Sequence, residues 1–172
     1  MSLLAITAIG RDRPGIIAAI TGVLAELGGN LEDSTMTILR GHFAMMLVVS
    51  APASPQEVER ALEPVARNLE LVVTAREVAA QAEPEPVGSA HVLTVHGADR
   101  PGIVSAVTRL VADHGGNVTD LTTRLAGELY LLVAEVDLPA ATDVVELAER
   151  LAGLAKELGV EASLRPAEAD VL

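Results

Sequence analysis

The chain has 172 residues, half of them hydrophobic, with no cysteine and only two aromatics, Phe43 and Tyr130. Its formal charge of −12 sets no clustered cations against a phosphate backbone, and the scarcity of aromatics removes base-stacking platforms. Direct nucleic-acid binding, disulfides, thiolate metal sites and thiol nucleophiles are therefore set aside.

Met1-Ser2-Leu3-Leu4 lacks the basic and apolar regions of a signal peptide, and no run of about 18 apolar residues occurs. A cytoplasmic protein without a membrane span is expected. Residues 3–9 form a short apolar run ended by Gly10, which predicts a buried strand. Pro14 stands where a first helical residue is expected, and Ile16, Ile17, Ile20, Val23, Leu24 and Leu27 recur at helical spacing. A helix from Pro14 to Leu27 follows, stopped by Gly28-Gly29. Residues 30–39 and 43–50, around Arg40-Gly41, predict a hairpin. Ser54-Pro55-x-Glu57 then starts a second helix, with a cap, a proline at the first position and an acid in the first turn. Leu69 to Val78 closes the unit as a fourth strand.

Residues 79–89, with Pro84 and Pro86 and no periodicity, read as a linker. The predicted domains are thus 1–78 and 90–172. The second begins with a strand at 91–97 and a helix at 101–114. Strands near 117–125 and 128–137, a helix at 140–158 and a strand at 160–165 complete it.

The two halves repeat each other. Gly10-x-Asp12-Arg13-Pro14-Gly15-Ile16 returns as Gly97-x-Asp99-Arg100-Pro101-Gly102-Ile103, and Gly28-Gly29-Asn30 as Gly115-Gly116-Asn117, at an offset of 87. From Gly10 to Thr35, 14 of 26 positions are identical to their counterparts. Beyond that the register is expected to slip by one, matching Arg40-Gly41 to Ala126-Gly127. Two β-α-β-β-α-β units predict an α+β protein of two ferredoxin-like domains, each an antiparallel four-stranded sheet with both helices on one face. Units of about 80 residues have little interior relative to surface, and each leaves one sheet face and its edges uncovered. Mutual docking and a homodimer are expected to relieve this.

On these motifs both units resemble ACT domains, regulatory modules that bind amino acids and related small molecules. The tandem layout resembles the glycine cleavage system transcriptional repressor group. The first unit carries the best match, in Asp12-Arg13-Pro14-Gly15-Ile16, Asn30-Leu31-Glu32-Asp33-Ser34 and Gly41-His42-Phe43-Ala44-Met45-Met46. The resemblance implies a non-catalytic protein that binds an amino acid, such as glycine or serine, at the interface of its ACT domains. It also implies signalling through a protein partner, in the regulation of glycine cleavage genes. A structural or oligomerisation module that binds no ligand is the alternative. Formyltetrahydrofolate deformylases begin with a similar unit, but here the second copy stands where their hydrolase domain would follow.

The residues supply a physical route to such binding. The amides of Gly15, Ile16 and Ile17 are free at a helix start, beside the positive end of the helix dipole, and Gly15 lets a carboxylate approach the backbone. Asn30 offers donors and an acceptor to the carboxylate and ammonium of an amino acid. The candidate contacts are Asp12, Arg13, Pro14, Gly15, Ile16 and Asn30, with Asp99, Arg100, Pro101, Gly102, Ile103 and Asn117 in the second unit. A 14-residue helix is about 21 Å long, so one small ligand cannot touch both the turn and Asn30 of one unit. Two sites at the seam are expected, loop 10–15 with Asn117 and loop 97–102 with Asn30. The same residues also suit plain turn chemistry, with Asp12 as a cap, Arg13 and Arg100 paired to nearby acids, and Asp33 and Asp120 facing solvent or capping a turn.

Other chemistry finds no pattern. His42, His91, His96 and His114 lack metal-ligand spacing; His91 and His96 differ in strand parity, and His114 aligns with Leu27 at a helix end. No nucleophile elbow, phosphate loop or dinucleotide fingerprint occurs, so no cofactor, metal or catalytic residue is expected. Met36, Met45 and Met46 suit core or interface filling.

Overall fold

A computed structural model describes residues 1–79 and 88–167; most of the expected linker lies outside the described residues. The chain divides into two compact units, Met1–Ala82 and Glu83–Leu172. The first contains β1 (Ser2–Arg11), α1 (Ile16–Glu26), β2 (Asn30–Leu39), β3 (His42–Ala51), α2 (Pro55–Leu69) and β4 (Leu71–Glu77). The second contains β5 (Ser89–Ala98), α3 (Ile103–Asp113), β6 (Asn117–Ala126), β7 (Leu129–Leu138), α4 (Val144–Leu158) and β8 (Val160–Pro166). Each forms a four-stranded antiparallel sheet, in the orders β2-β3-β1-β4 and β6-β7-β5-β8. This is the expected ferredoxin-like arrangement.

Strand parity builds the cores. In the first unit Leu4, Ile6 and Ala8 of β1 and Phe43, Met45 and Leu47 of β3 meet Ile16, Ile20 and Leu24 of α1 and Val58 and Leu62 of α2. In the second, Leu93 and Val95 of β5 and Leu132, Ala134 and Val136 of β7 meet Ile103 and Val107 of α3 and Leu147 and Leu151 of α4. Both helices of a unit therefore pack on one face of its sheet, and the other face carries none.

The helix ends follow the signals in the sequence, with one exception. At the C-terminus of α1, Gly28 N–H donates to Ala25 O (2.9 Å) and Gly29 N–H to Leu24 O (2.8 Å), with Gly28 left-handed at φ 72°. This is a Schellman stop, and Gly115 and Gly116 repeat it on α3. Ser54 caps α2 in a capping box with Glu57, and Pro55 follows at the first helical position. Asp143 caps α4, accepting from the amides of Val145 and Glu146 at 3.0 Å each. The exception is the start of α1. The helix begins at Ile16, two residues later than expected, and Pro14 is not its first residue. Gly15, at φ 90° and ψ −1°, has the backbone of the third residue of a type II turn, with proline in the second. Gly102, at φ 94° and ψ −6°, does the same ahead of α3.

The hairpins also correct the predicted register. Leu39 faces His42 and Ala126 faces Leu129, so the turns are Arg40-Gly41 and Gly127-Glu128 and the offset of 87 does not slip. The glycine has changed place inside a turn of fixed length. Arg40 and Gly41 both have positive φ, 51° and 81°, as in a type I′ turn. In the second turn only Gly127 does, at 63°, as in type II′. Both hairpins carry a bulge at the same place, between Leu31 and Asp33 and between Val118 and Asp120.

Two outcomes test this framework. A Cβ on Gly116 would lie 2.7 Å from Val111 Cγ1, 2.8 Å from Leu138 Cδ2 and 3.1 Å from the Val111 carbonyl. Gly116→Ala should therefore lower the unfolding free energy by about 1–3 kcal/mol in denaturant titrations, and an unchanged midpoint would contradict this packing. The second concerns Glu57, whose Oε2 accepts from the Ser54 amide (2.8 Å) and hydroxyl (2.7 Å); these bonds hold its pKa below the ordinary 4.5. A carboxylate lowered by folding stabilises fully above its ordinary value and loses that effect as pH falls through the lowered one. The stability gap between the native chain and Glu57→Gln should be constant above about pH 4.5 and narrow below it; a gap independent of pH would show that the charge of Glu57 contributes nothing to the cap.

Candidate ligand-binding site

Where β1 ends, Gly10 lies opposite Phe43 on one side and Leu71 on the other. A Cβ there would lie 2.7 Å from Leu71 Cδ2 and 2.8 Å from the Glu70 carbonyl, which explains glycine at the head of the repeated motif. The chain then turns through Asp12 to Gly15. The Asp12 amide donates to Gly41 O at 3.0 Å, tying this loop to the β2–β3 turn. The Pro-Gly turn delivers the chain into α1 with no side-chain cap and no acid in the first turn. Asp12 is thus not the helix cap.

The amides of Ile16, Ile17 and Ala18 consequently have no partner within the helix and point outward at the positive end of its dipole. They open onto a cavity of about 420 Å³, within the range of small-molecule sites. Of the expected residues, Asp12, Arg13, Gly15 and Ile16 line it. Ile17 and Ala18 of the first helical turn, Met36 of β2 and Phe43 of β3 complete the wall. Pro14 is exposed and shapes the turn without lining the cavity. Open space surrounds the place a Gly15 Cβ would occupy, so ligand atoms can reach the backbone there.

Arg13 has a second task. Its Nη2 lies 2.9 Å from Glu70 Oε1, and Glu70 is the left-handed residue (φ 55°) that ends α2. The pairing with a nearby acid is realised, and it straps the turn to the end of α2. In the second unit Gly159 (φ 67°) replaces Glu70, and the Arg100 guanidinium lies over it, with Nη1 2.9 Å from where a Cβ would stand. Among the described residues no carboxylate comes within salt-bridge distance of Arg100.

In the second turn Asp99, Pro101, Gly102 and Ile103 hold the corresponding positions, Gly102 repeats the backbone of Gly15, and α3 likewise has no side-chain cap; the bond from the Asp12 amide to the hairpin turn has no counterpart at Asp99 among the described residues. Strand register equates Tyr130, opposite Gly97, with Phe43, and Thr123, opposite Leu132, with Met36. Asn30 and Asn117 open β2 and β6, are exposed, and lie opposite Ser50 and Asp137. With 11 residues, α1 is about 16 Å long, so Asn30 and the turn of the same unit stand at its two ends. The structure does not bring Asn30 into the cavity.

The histidines behave as packing and surface groups. His91 is buried, with Nδ1 3.3 Å from Ser89 O, and His96 is exposed on the other face, 3.6 Å from Glu161. His114 Nδ1 lies 2.8 Å from Leu110 O at the end of α3. Met45 is buried and Met36 and Met46 are part-exposed. Among the described residues no three His, Asp or Glu side chains group as metal ligands, and no helix is long and apolar enough to cross a membrane.

Comparison with known proteins gives the units their family. The ACT domain profile matches residues 2–76 and again 90–165. The glycine cleavage system transcriptional repressor of Escherichia coli is 27% identical over 169 residues, covering 94% of this chain and 88% of that protein. A protein of Methanopyrus kandleri is 51% identical over 49 residues, 28% of this chain and 54% of its own. The crystal structure of an unknown protein from Galdieria sulphuraria superposes with a TM-score of 0.81 at 28% identity, covering 96% of this chain and 98% of that one. The chain belongs to the ACT domain family, with two ACT domains in tandem and homology to the glycine cleavage repressor along nearly its whole length.

Proposed function

We propose that this ACT-domain regulatory protein binds a free amino acid at the uncapped helix starts and transmits its occupancy to a protein partner. One contrast carries the reading. Within the same chain α2 and α4 are capped by Ser54 and Asp143, whereas α1 and α3 are capped by no side chain. A side-chain cap is worth about 1 kcal/mol. Forgoing it at the two equivalent positions, one of them opening on a cavity of ligand size, suits an α-carboxylate that completes the hydrogen bonds on arrival.

The apolar wall of Ile17, Met36 and Phe43 accommodates the remainder of the ligand. A single small ligand that also touches an asparagine must take it from an ACT unit other than the one whose turn holds it. The charge of −12 disfavours direct contact with DNA, so the output runs through a protein. Because the E. coli relative is named for the glycine cleavage system, glycine and serine are the first ligands to test, with control of glycine cleavage genes as the regulated process. Binding shifts the protein toward its signalling state only by the difference in affinity between the two states.

Isothermal titration of the full chain against the standard amino acids tests this. Heat is expected from one or a few of them, with affinity reduced at least about tenfold by Gly15→Ala, whose methyl blocks the approach to the amides. The absence of heat from every amino acid would leave a purely structural module as the better description, and unchanged affinity in both Gly15→Ala and Gly102→Ala would put the ligand away from the helix starts.

A further inference from the structure

The helix-free faces of the two sheets differ in chemistry. In the first unit the inner strands present Leu3, Ala5, Thr7 and Ile9 from β1 and Ala44, Met46, Val48 and Ser50 from β3, an uncharged stretch that ends at the Arg11 and His42 pair. Ile9 is 55% exposed, Met46 45% and Val72 of β4 69%. A hollow of about 240 Å³ runs beside Thr7, Ile9, Thr35, Ala44 and Met46. At the matching positions the second unit places His96, Glu135 and Asp137 on its inner strands. That face resists desolvation, because buried charges need partners, and the first one does not.

The charges on the first face stand at its rim: Asp33 and Arg76 on the edge strands, and Arg11, paired with His42, in the last row of the inner strands. Across one row of the sheet, Asp33 of β2 lies opposite Val48, Val48 opposite Ala5, and Ala5 opposite Arg76 of β4. An acid thus closes one end of an apolar row and a base the other. A twofold axis in the plane of contact and parallel to the strands exchanges the two edges while keeping each row at its own height. Two copies stacked face to face about that axis bring Asp33 of each against Arg76 of the other, and Val48 of each over the small Ala5. An axis across the strands would stack β2 on β2 and make neither pair. In the second unit the equivalent row reads Asp120, Glu135, Val92 and Arg165, with an acid where the pairing needs Val48.

We infer that the helix-free face of the first ACT unit binds the same face of a second copy of this chain, about a twofold axis parallel to the strands. The area is sufficient. Four strands at about 4.8 Å and ten residues at about 3.3 Å give a face of roughly 600 Å². A pair of such faces buries roughly 1,200 Å², the lower bound of specific interfaces. An isologous contact requires a self-complementary patch, and the Asp33 to Arg76 row supplies it.

Sedimentation equilibrium of the full chain at micromolar concentration, with circular dichroism to verify folding, tests the inference. A dimer is expected. Val48→Glu, which copies Glu135 of the second unit, and Met46→Glu on the exposed surface should each weaken it at least about tenfold. Asp33→Arg sets like charges together and should weaken it by a similar factor, while the double exchange Asp33→Arg with Arg76→Asp should restore it to within about threefold. A monomeric native chain, or a dimer indifferent to these acids, would overturn the inference. So would a double exchange that fails to recover association, and that arm remains decisive if an apolar-to-acid variant misfolds, since it adds no charge to the apolar centre.

Discussion

The entrance to the first helix of each unit is fixed by a proline-glycine pair, and the left-handed backbone of its glycine is the constraint on which the site depends. Gly15 at φ 90° and Gly102 at φ 94° turn the chain into α1 and α3 without placing a capping side chain over the first amides. A residue other than glycine is disfavoured there twice, by its own backbone and because its side chain would occupy the approach. The cavity, the outward amides and the positive end of the helix dipole are thus consequences of one turn. Its position is held by Gly10 against β4 and by the Asp12 amide on Gly41 O.

Duplication preserved that turn and changed what surrounds it. The first unit ends α2 on Glu70, in a left-handed conformation uncommon outside glycine, and its carboxylate holds Arg13. The second ends α4 on Gly159, which relieves the backbone and leaves Arg100 without that acid. Phe43 and Met36 give way to Tyr130 and Thr123, so the second helix entrance is the more polar. The exposed faces of the sheets diverge in the same way, with an apolar centre in the first unit and charges on the inner strands at the matching positions of the second. A pair of domains with one backbone thereby acquires two different surfaces, one suited to permanent burial and one to water.

The repeat made the fold legible, because an offset of 87 carried each glycine, proline and apolar position of one unit onto the other. The Schellman glycines and the Ser54 capping box are local signals, and both formed as read. Pro14-Gly15 was ambiguous: proline opens helices and also sits second in type II turns, and only the sign of φ at Gly15 separates the two. The hairpin misled for a related reason, since a two-residue turn accepts glycine in either place and the shifted glycine imitated a shift in register. Met36 and Phe43 could not be placed at the site from local pattern. Their approach to the helix entrance follows from β3 lying between β1 and β2, an order of strands that hydrophobic spacing does not encode.

If the amides at the start of α1 are a receptor for a carboxylate, an amino acid must perturb them before any other part of the chain. The most direct measurement is the amide nitrogen–proton spectrum of the isotopically labelled full chain, titrated with the free amino acids. The largest shifts are expected at Ile16, Ile17 and Ala18, with the corresponding amides of α3 following. Shifts confined to other surfaces, or a spectrum that no amino acid alters, would contradict such a receptor.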